Sequence, residues 1–187
     1  MRPADARVAL LLPGLTYSAE RPLLHYARAV FAKHGWATRE VRWPERPPQR
    51  EGRDLPVWFA RTRSFVHAHT SRILDHETAS TIALVGKSMG AFAAGVAADR
   101  GLPGIWLTPV LRDSPLPADL RRAAAPFLLV GGTADPSWDP EIARGLGQPW
   151  YEAPGADHSL ETVDDPVNSA DLLRRVTLAM DDFVAAL

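Results

Sequence analysis

The chain has 187 residues, 46% apolar and 23% charged, with a formal net charge of -1 and no cysteine. That length suits a single domain, and the composition allows a core covering both faces of a sheet. The near-neutral charge leaves no basic footprint for nucleic acid and no polybasic membrane patch, and the lack of cysteine excludes disulfides, thiolate metal sites and a cysteine nucleophile.

Arg7 to Leu12 is an apolar run stopped by Pro13-Gly14, as a buried parallel strand would be. It is too short for a signal-peptide core or a membrane span, so a cytoplasmic protein is expected. Arg21 to His34 carries Leu23, Leu24, Ala27, Val30 and Phe31 at helical spacing, with Gly35 where a helix terminator belongs. Trp36 to Trp43 alternates and predicts a second strand near a sheet edge. Pro44 to Pro56 is rich in proline, arginine and glutamate and reads as an exposed loop. Asp54 to Leu74 opens with a candidate cap and an early proline, then shows a long apolar stripe, predicting an amphipathic helix.

A β-rich run follows at Thr81 to Val85, then a small-residue helix over Met89 to Arg100 closed by Gly101. Gly104 to Leu107 and Phe127 to Val130 are further strands. Asp139-Pro140 starts a short helix, Trp150 to Ala153 is a last strand, and Asp165 to Leu187 is a closing amphipathic helix. Strand–helix alternation of this kind predicts an α/β three-layer sandwich of about six mainly parallel strands with helices on both faces. Ligands in such a sheet bind beyond the C-terminal ends of the strands.

Gly86-Lys87-Ser88-Met89-Gly90 fits G-x-S-x-G, and it stands between a β run and a small-residue helix. A nucleophile elbow needs that setting: the serine sits on a strained turn with its hydroxyl exposed. The only histidine after it is His158, in a loop following the last short strand, where a base could reach the hydroxyl. For the carboxylate that orients the base, Asp135 lies just past the Phe127 to Val130 strand, and Asp113 is the rival after the preceding strand. Asp139 reads as a helix cap, and Asp157 adjoins the histidine too closely to orient it. Oxyanion donors are expected from the N–H of Met89 and from Leu15 or Thr16 in the loop after the first strand. Tyr17, Thr108 and Trp138 are candidate substrate-pocket walls, with ordinary packing as the alternative, and Lys87 is placed to steer an anionic substrate.

On Gly86-Lys87-Ser88-Met89-Gly90, Gly132-Thr133-Ala134-Asp135 and Gly155-Ala156-Asp157-His158-Ser159-Leu160, the chain resembles the α/β-hydrolase superfamily over nearly its whole length. It is most similar to minimal lidless members such as small bacterial lipases and dienelactone hydrolases. Two departures stand out. Pro13-Gly14 replaces the usual His-Gly after the first strand, and the customary two N-terminal strands and cap domain are missing.

The resemblance implies a single domain over residues 1–187 that cleaves a small ester or thioester through Ser88, Asp135 and His158. Neither metal nor organic cofactor is expected; the expected partner is a small-molecule ester or thioester, with no nucleic acid or membrane, and the oligomeric state is left open. A thioesterase, acyltransferase or cyclase would use the same triad, and a non-catalytic binding protein could share the fold. His67, His69 and His76 lack the spacing of a metal motif, since His67 and His69 point apart on a helix.

Overall fold

A computed structural model describes residues 6–187. Six strands form one sheet: β1 (Arg7–Leu12), β2 (Ala37–Glu40), β3 (Thr81–Lys87), β4 (Gly104–Leu107), β5 (Phe127–Gly132) and β6 (Trp150–Ala153). Their spatial order is β2-β1-β3-β4-β5-β6, and every neighbouring pair is parallel. The helices are α1 (Pro22–Lys33), α2 (Leu55–His76), α3 (Ala94–Arg100), α4 (Leu116–Leu120), α5 (Pro140–Gly145) and α6 (Pro166–Ala185). With β3 and β5 ending side by side around β4, the loops that follow them share one end of the molecule.

Period-two alternation divides the core into two layers. Val8, Leu10, Leu12 and Leu84 face α2, α3 and α4, together with Phe59, Val66 and Leu120. Ala9, Leu11, Ala83 and Val85 face α1 and α6, with Phe31, Val176 and Met180. This is the three-layer sandwich expected from the sequence, with β2 at the sheet edge. Among the described residues, no helix is long and apolar enough to cross a membrane.

Several local expectations change. The strand expected over Trp36 to Trp43 is confined to Ala37–Glu40; the Trp36 N–H is spent on the Phe31 carbonyl at the end of α1, at 3.0 Å, and its ring packs edge-on against Phe31, with ring centroids 5.4 Å apart. The Asp54 side chain makes no capping hydrogen bond, whereas those of Asp139 and Asp165 do cap their helices. The helix expected over Met89 to Arg100 starts as a 3-10 stretch, Ser88–Ala93, before α3. The short α4 has no counterpart in the sequence reading.

The loop leaving β2 starts beside the end of β1, where Trp43 Nε1 donates to the Pro13 carbonyl at 3.4 Å. It then lies along α2, where Trp58 Nε1 donates to the Pro48 carbonyl at 2.8 Å.

Candidate active site

Ser88 follows the last residue of β3 and has φ of 53°, the left-handed region that a residue with a Cβ rarely adopts. Such a conformation costs on the order of 1–3 kcal/mol and persists only where its surroundings enforce it. Here they do. A Cβ on Gly90 would lie 2.2 Å from the Leu12 carbonyl oxygen, so only glycine lets the turn after Ser88 press against the end of β1.

The next strands bring two more side chains to this point. Asp135 sits three residues beyond β5, and its backbone N–H donates to the Gly132 carbonyl at 3.1 Å in a tight turn. His158 sits in the loop after β6. The two loops are laced together: the Ala134 N–H donates to the Ala156 carbonyl at 2.9 Å, and the Gly155 N–H donates to the Thr133 hydroxyl at 2.7 Å. Gly132 makes the lacing possible, since a Cβ there would lie 2.2 Å from the Ala156 carbonyl oxygen.

The result is a hydrogen-bonded chain. The Ser88 hydroxyl donates to His158 Nε2 at 2.8 Å, and His158 Nδ1–H donates to Asp135 Oδ2 at 2.7 Å. The other Asp135 oxygen accepts the Ser137 N–H at 2.9 Å. Asp135 is 4% exposed, so its charge faces the imidazole with little water between to screen it. The His158 side chain keeps 37% of its surface exposed. A hydroxyl, imidazole and carboxylate in this order can move a proton from oxygen to nitrogen and hold the cation that results.

The rival carboxylate is elsewhere. Asp113 is exposed on the loop after β4, in a left-handed turn, whereas the carboxylate bonded to His158 is that of Asp135. Asp139 caps α5, as its sequence position predicts. Asp157 folds the histidine loop, its Oδ1 accepting the N–H groups of Ser159 at 2.7 Å and Glu161 at 3.1 Å.

Met89 is the second residue of the 3-10 stretch, where backbone N–H groups lack partners inside the helix. Leu15 and Thr16 are exposed on the loop after β1, which is closed by Gly14 N–H donating to the Tyr17 carbonyl at 3.0 Å.

The three candidate pocket walls are all buried, though Trp138 also lines a cavity of about 330 Å³ together with Asp135. Trp138 is 2% exposed and donates from Nε1 to Glu152 at 2.6 Å, under a flank of β5 too close for anything but Gly131. Thr108 is fully buried. The Tyr17 hydroxyl accepts the Leu23 N–H at 3.0 Å and so caps α1. Its ring also borders a cavity of about 420 Å³ with Leu23, Leu160 and Leu173, which Ser88, Asp135 and His158 do not line.

The reading of Lys87 is corrected. At 3% exposed it is not a surface charge. Its Nζ donates to the His158 backbone carbonyl at 2.9 Å and lies 4.9 Å from the centre of the Tyr17 ring. The signal was present in the strand period: Ala83, Val85 and Lys87 share a face, and the first two are core. On α2, His67 bonds the Phe92 carbonyl at 2.9 Å and His69 packs on Phe65 with ring centroids 4.4 Å apart, so both serve packing.

The sequence matches no family profile, and no curated protein is similar enough to match. Solved structures are similar in shape. Est1E from Butyrivibrio proteoclasticus superposes with a TM-score of 0.71 at 14% identity, covering 98% of this chain and 89% of that one. An α/β serine hydrolase without lid from Xanthomonas campestris gives 0.62 at 16%, covering 97% and 85%. The esterase domain of a Rhodothermus marinus protein gives 0.58 at 16%, covering 100% and 87%. At these identities the likeness establishes the fold: this chain has the α/β-hydrolase fold in a form without a cap.

Proposed function

We propose that this capless α/β-hydrolase fold is a serine hydrolase cleaving a small carboxylic ester or thioester through an acyl-enzyme. The observation that carries it is the chain Ser88–His158–Asp135, with its two contacts of 2.8 and 2.7 Å at the C-terminal edge of the sheet. Ser88 Oγ attacks the carbonyl carbon as His158 Nε2 takes its proton. Asp135 holds the ring in the tautomer that accepts there and stabilises the imidazolium. The tetrahedral oxyanion is held by the Met89 N–H and by that of Leu15 or Thr16. As the intermediate collapses, the leaving alkoxide or thiolate takes the proton from His158. Water then attacks the acyl-Ser88 ester by the same steps in reverse, releasing the acid and restoring the hydroxyl.

A binding protein on this fold would have no use for a strained serine aligned on an imidazole with a buried carboxylate behind it. Hydrolysis and acyl transfer differ in what attacks the acyl-enzyme. The His158 side chain, with 37% of its surface open, supports water as the attacking nucleophile.

A panel of p-nitrophenyl esters and acyl-CoAs, assayed below and above the micellar concentration of a long-chain ester, tests the proposal. Short soluble substrates should turn over with no rate jump at the micellar transition. A sharp jump would contradict a site open to solvent, and no turnover of any member would contradict the hydrolase assignment.

A further inference from the structure

Lys87 is an unusual residue to find at the end of a central strand. Its face of β3 is core, and moving an ammonium there from water carries a large desolvation cost. A methionine would fill similar space without it. What the ammonium gains is specific: it bonds the backbone carbonyl of His158, 71 residues away in sequence. Lys87 is also covalently adjacent to Ser88, so this single contact spans the two halves of the Ser88–His158 pair.

We propose that Lys87 is a positioning residue for that pair: its buried ammonium fastens the loop carrying His158 to the strand ending at Ser88, and the fastening weakens when the ammonium gives up its proton. This rests on the serine-hydrolase reading.

The groups around the ammonium come from three elements. Asp135 lies on the β5–α5 loop, and Asp157 and His158 on the β6–α6 loop. Tyr17 and Arg21 lie on the segment between β1 and α1. Burial is the largest influence and lowers Lys87 to about 8, against the pull of Asp135 and Asp157 and with Arg21 lowering it further. Burial also raises the Tyr17 phenol, so Tyr17 keeps its proton through the pH range where Lys87 titrates. Below about pH 8 the fastening is cationic. Above it the neutral amine loses its attraction to both carboxylates and to the Tyr17 ring.

The sign for stability is opposite. An unfolded lysine holds its proton to about pH 10.4, so above pH 8 the unfolded state binds more protons than the folded one. Stability from this group therefore rises with pH through that window. Activity should fall above about pH 8 while the contribution of this group to stability does not, which separates a positioning effect from unfolding.

The experiment measures kcat, KM and Tm from about pH 5 to pH 10 for wild type, Lys87→Met and Lys87→Arg, with fluorophosphonate labelling of each. Lys87→Met should lose about ten- to a hundredfold in kcat at neutral pH, with KM within about twofold and no alkaline limb near 8. Lys87→Arg, charged throughout, should keep more activity and push that limb upward. A Lys87→Met enzyme with wild-type kcat and the wild-type alkaline limb would overturn the proposal. If that variant does not fold, a limb left near 8 in Lys87→Arg overturns it instead. A wild type that neither labels nor turns over would bring down the hydrolase reading itself, a result distinct from either of these.

Discussion

An imidazole that accepts the Ser88 proton becomes a cation, and the group facing its far nitrogen decides how readily that happens. That group is Asp135, whose second oxygen is held by the Ser137 N–H and cannot swing away. Asp135→Asn would present an amide in place of the acceptor and turn the ring to the wrong tautomer. The expected loss in kcat is on the order of ten-thousand-fold. Asp113→Asn, on an exposed turn and not the partner of His158, should leave kcat within about twofold. Parallel kinetics of the two variants check this, and the opposite ranking would reassign the carboxylate.

The same residues show what a sequence reveals at this scale. Ser88, Asp135 and His158 could be singled out because each follows a strand in a fixed order along the chain. Tyr17, Thr108 and Trp138 occupy similar positions but turn inward. Sequence does not say whether a side chain beyond a strand end points to solvent or folds back under it. Lys87 hid for a different reason, since its charge suggested the surface and its strand face the core.

At the scale of elements, α2, α3 and α4 are joined by charge as well as by apolar packing. Arg63 on α2 grips the buried carboxylate of Asp119 on α4 through two bonds of 2.5 and 2.6 Å. Arg122 adds a third at 3.0 Å and reaches Asp99 on α3. Burial raises the Asp119 carboxyl, but the bonds from Arg63 and Arg122 outweigh it and hold the group below the ordinary carboxylate range. A depressed carboxylate stabilises the fold above its unfolded value of about 4, and the contribution fades as pH falls further toward the folded value. Arg63→Ala should cost about 2–3 kcal/mol at neutral pH, less than a fully broken buried pair because Arg122 remains. It should also flatten the loss of stability on acidification. Urea melts at neutral and acid pH would show both effects, and an unchanged midpoint at neutral pH would mean the pair contributes nothing.

Most of these elements were legible because hydrophobic periodicity marks them, as in α1, α2 and α6, or because a short apolar run ends in glycine, as in β1 and β3. Others were not. The five residues Leu116–Leu120 carry too little period to announce α4. The 3-10 start of the helix after Ser88 follows from the strained elbow, a tertiary demand that local propensity does not encode.

For the molecule as a whole, six parallel strands place the ends of β1, β3, β5 and β6 along one edge, and chain order alone then brings Ser88, Asp135 and His158 there. The alternation of strands and helices was enough to predict that edge. What the alternation could not supply is how the loops meet: the Ala134–Ala156 bond, the glycine at 132 and the Lys87 contact all cross between segments far apart in sequence. The central claim is that Ser88 is an activated nucleophile open to solvent. Intact-mass analysis after exposure to a fluorophosphonate tests it most directly, run on wild type and on Ser88→Ala, which should match wild type in thermal stability to within about a kcal/mol. The expected result is one phosphonyl adduct on wild type, mapped to the peptide carrying Ser88, and none on Ser88→Ala. An unmodified wild type, or an adduct of equal extent on the folded variant, would contradict it.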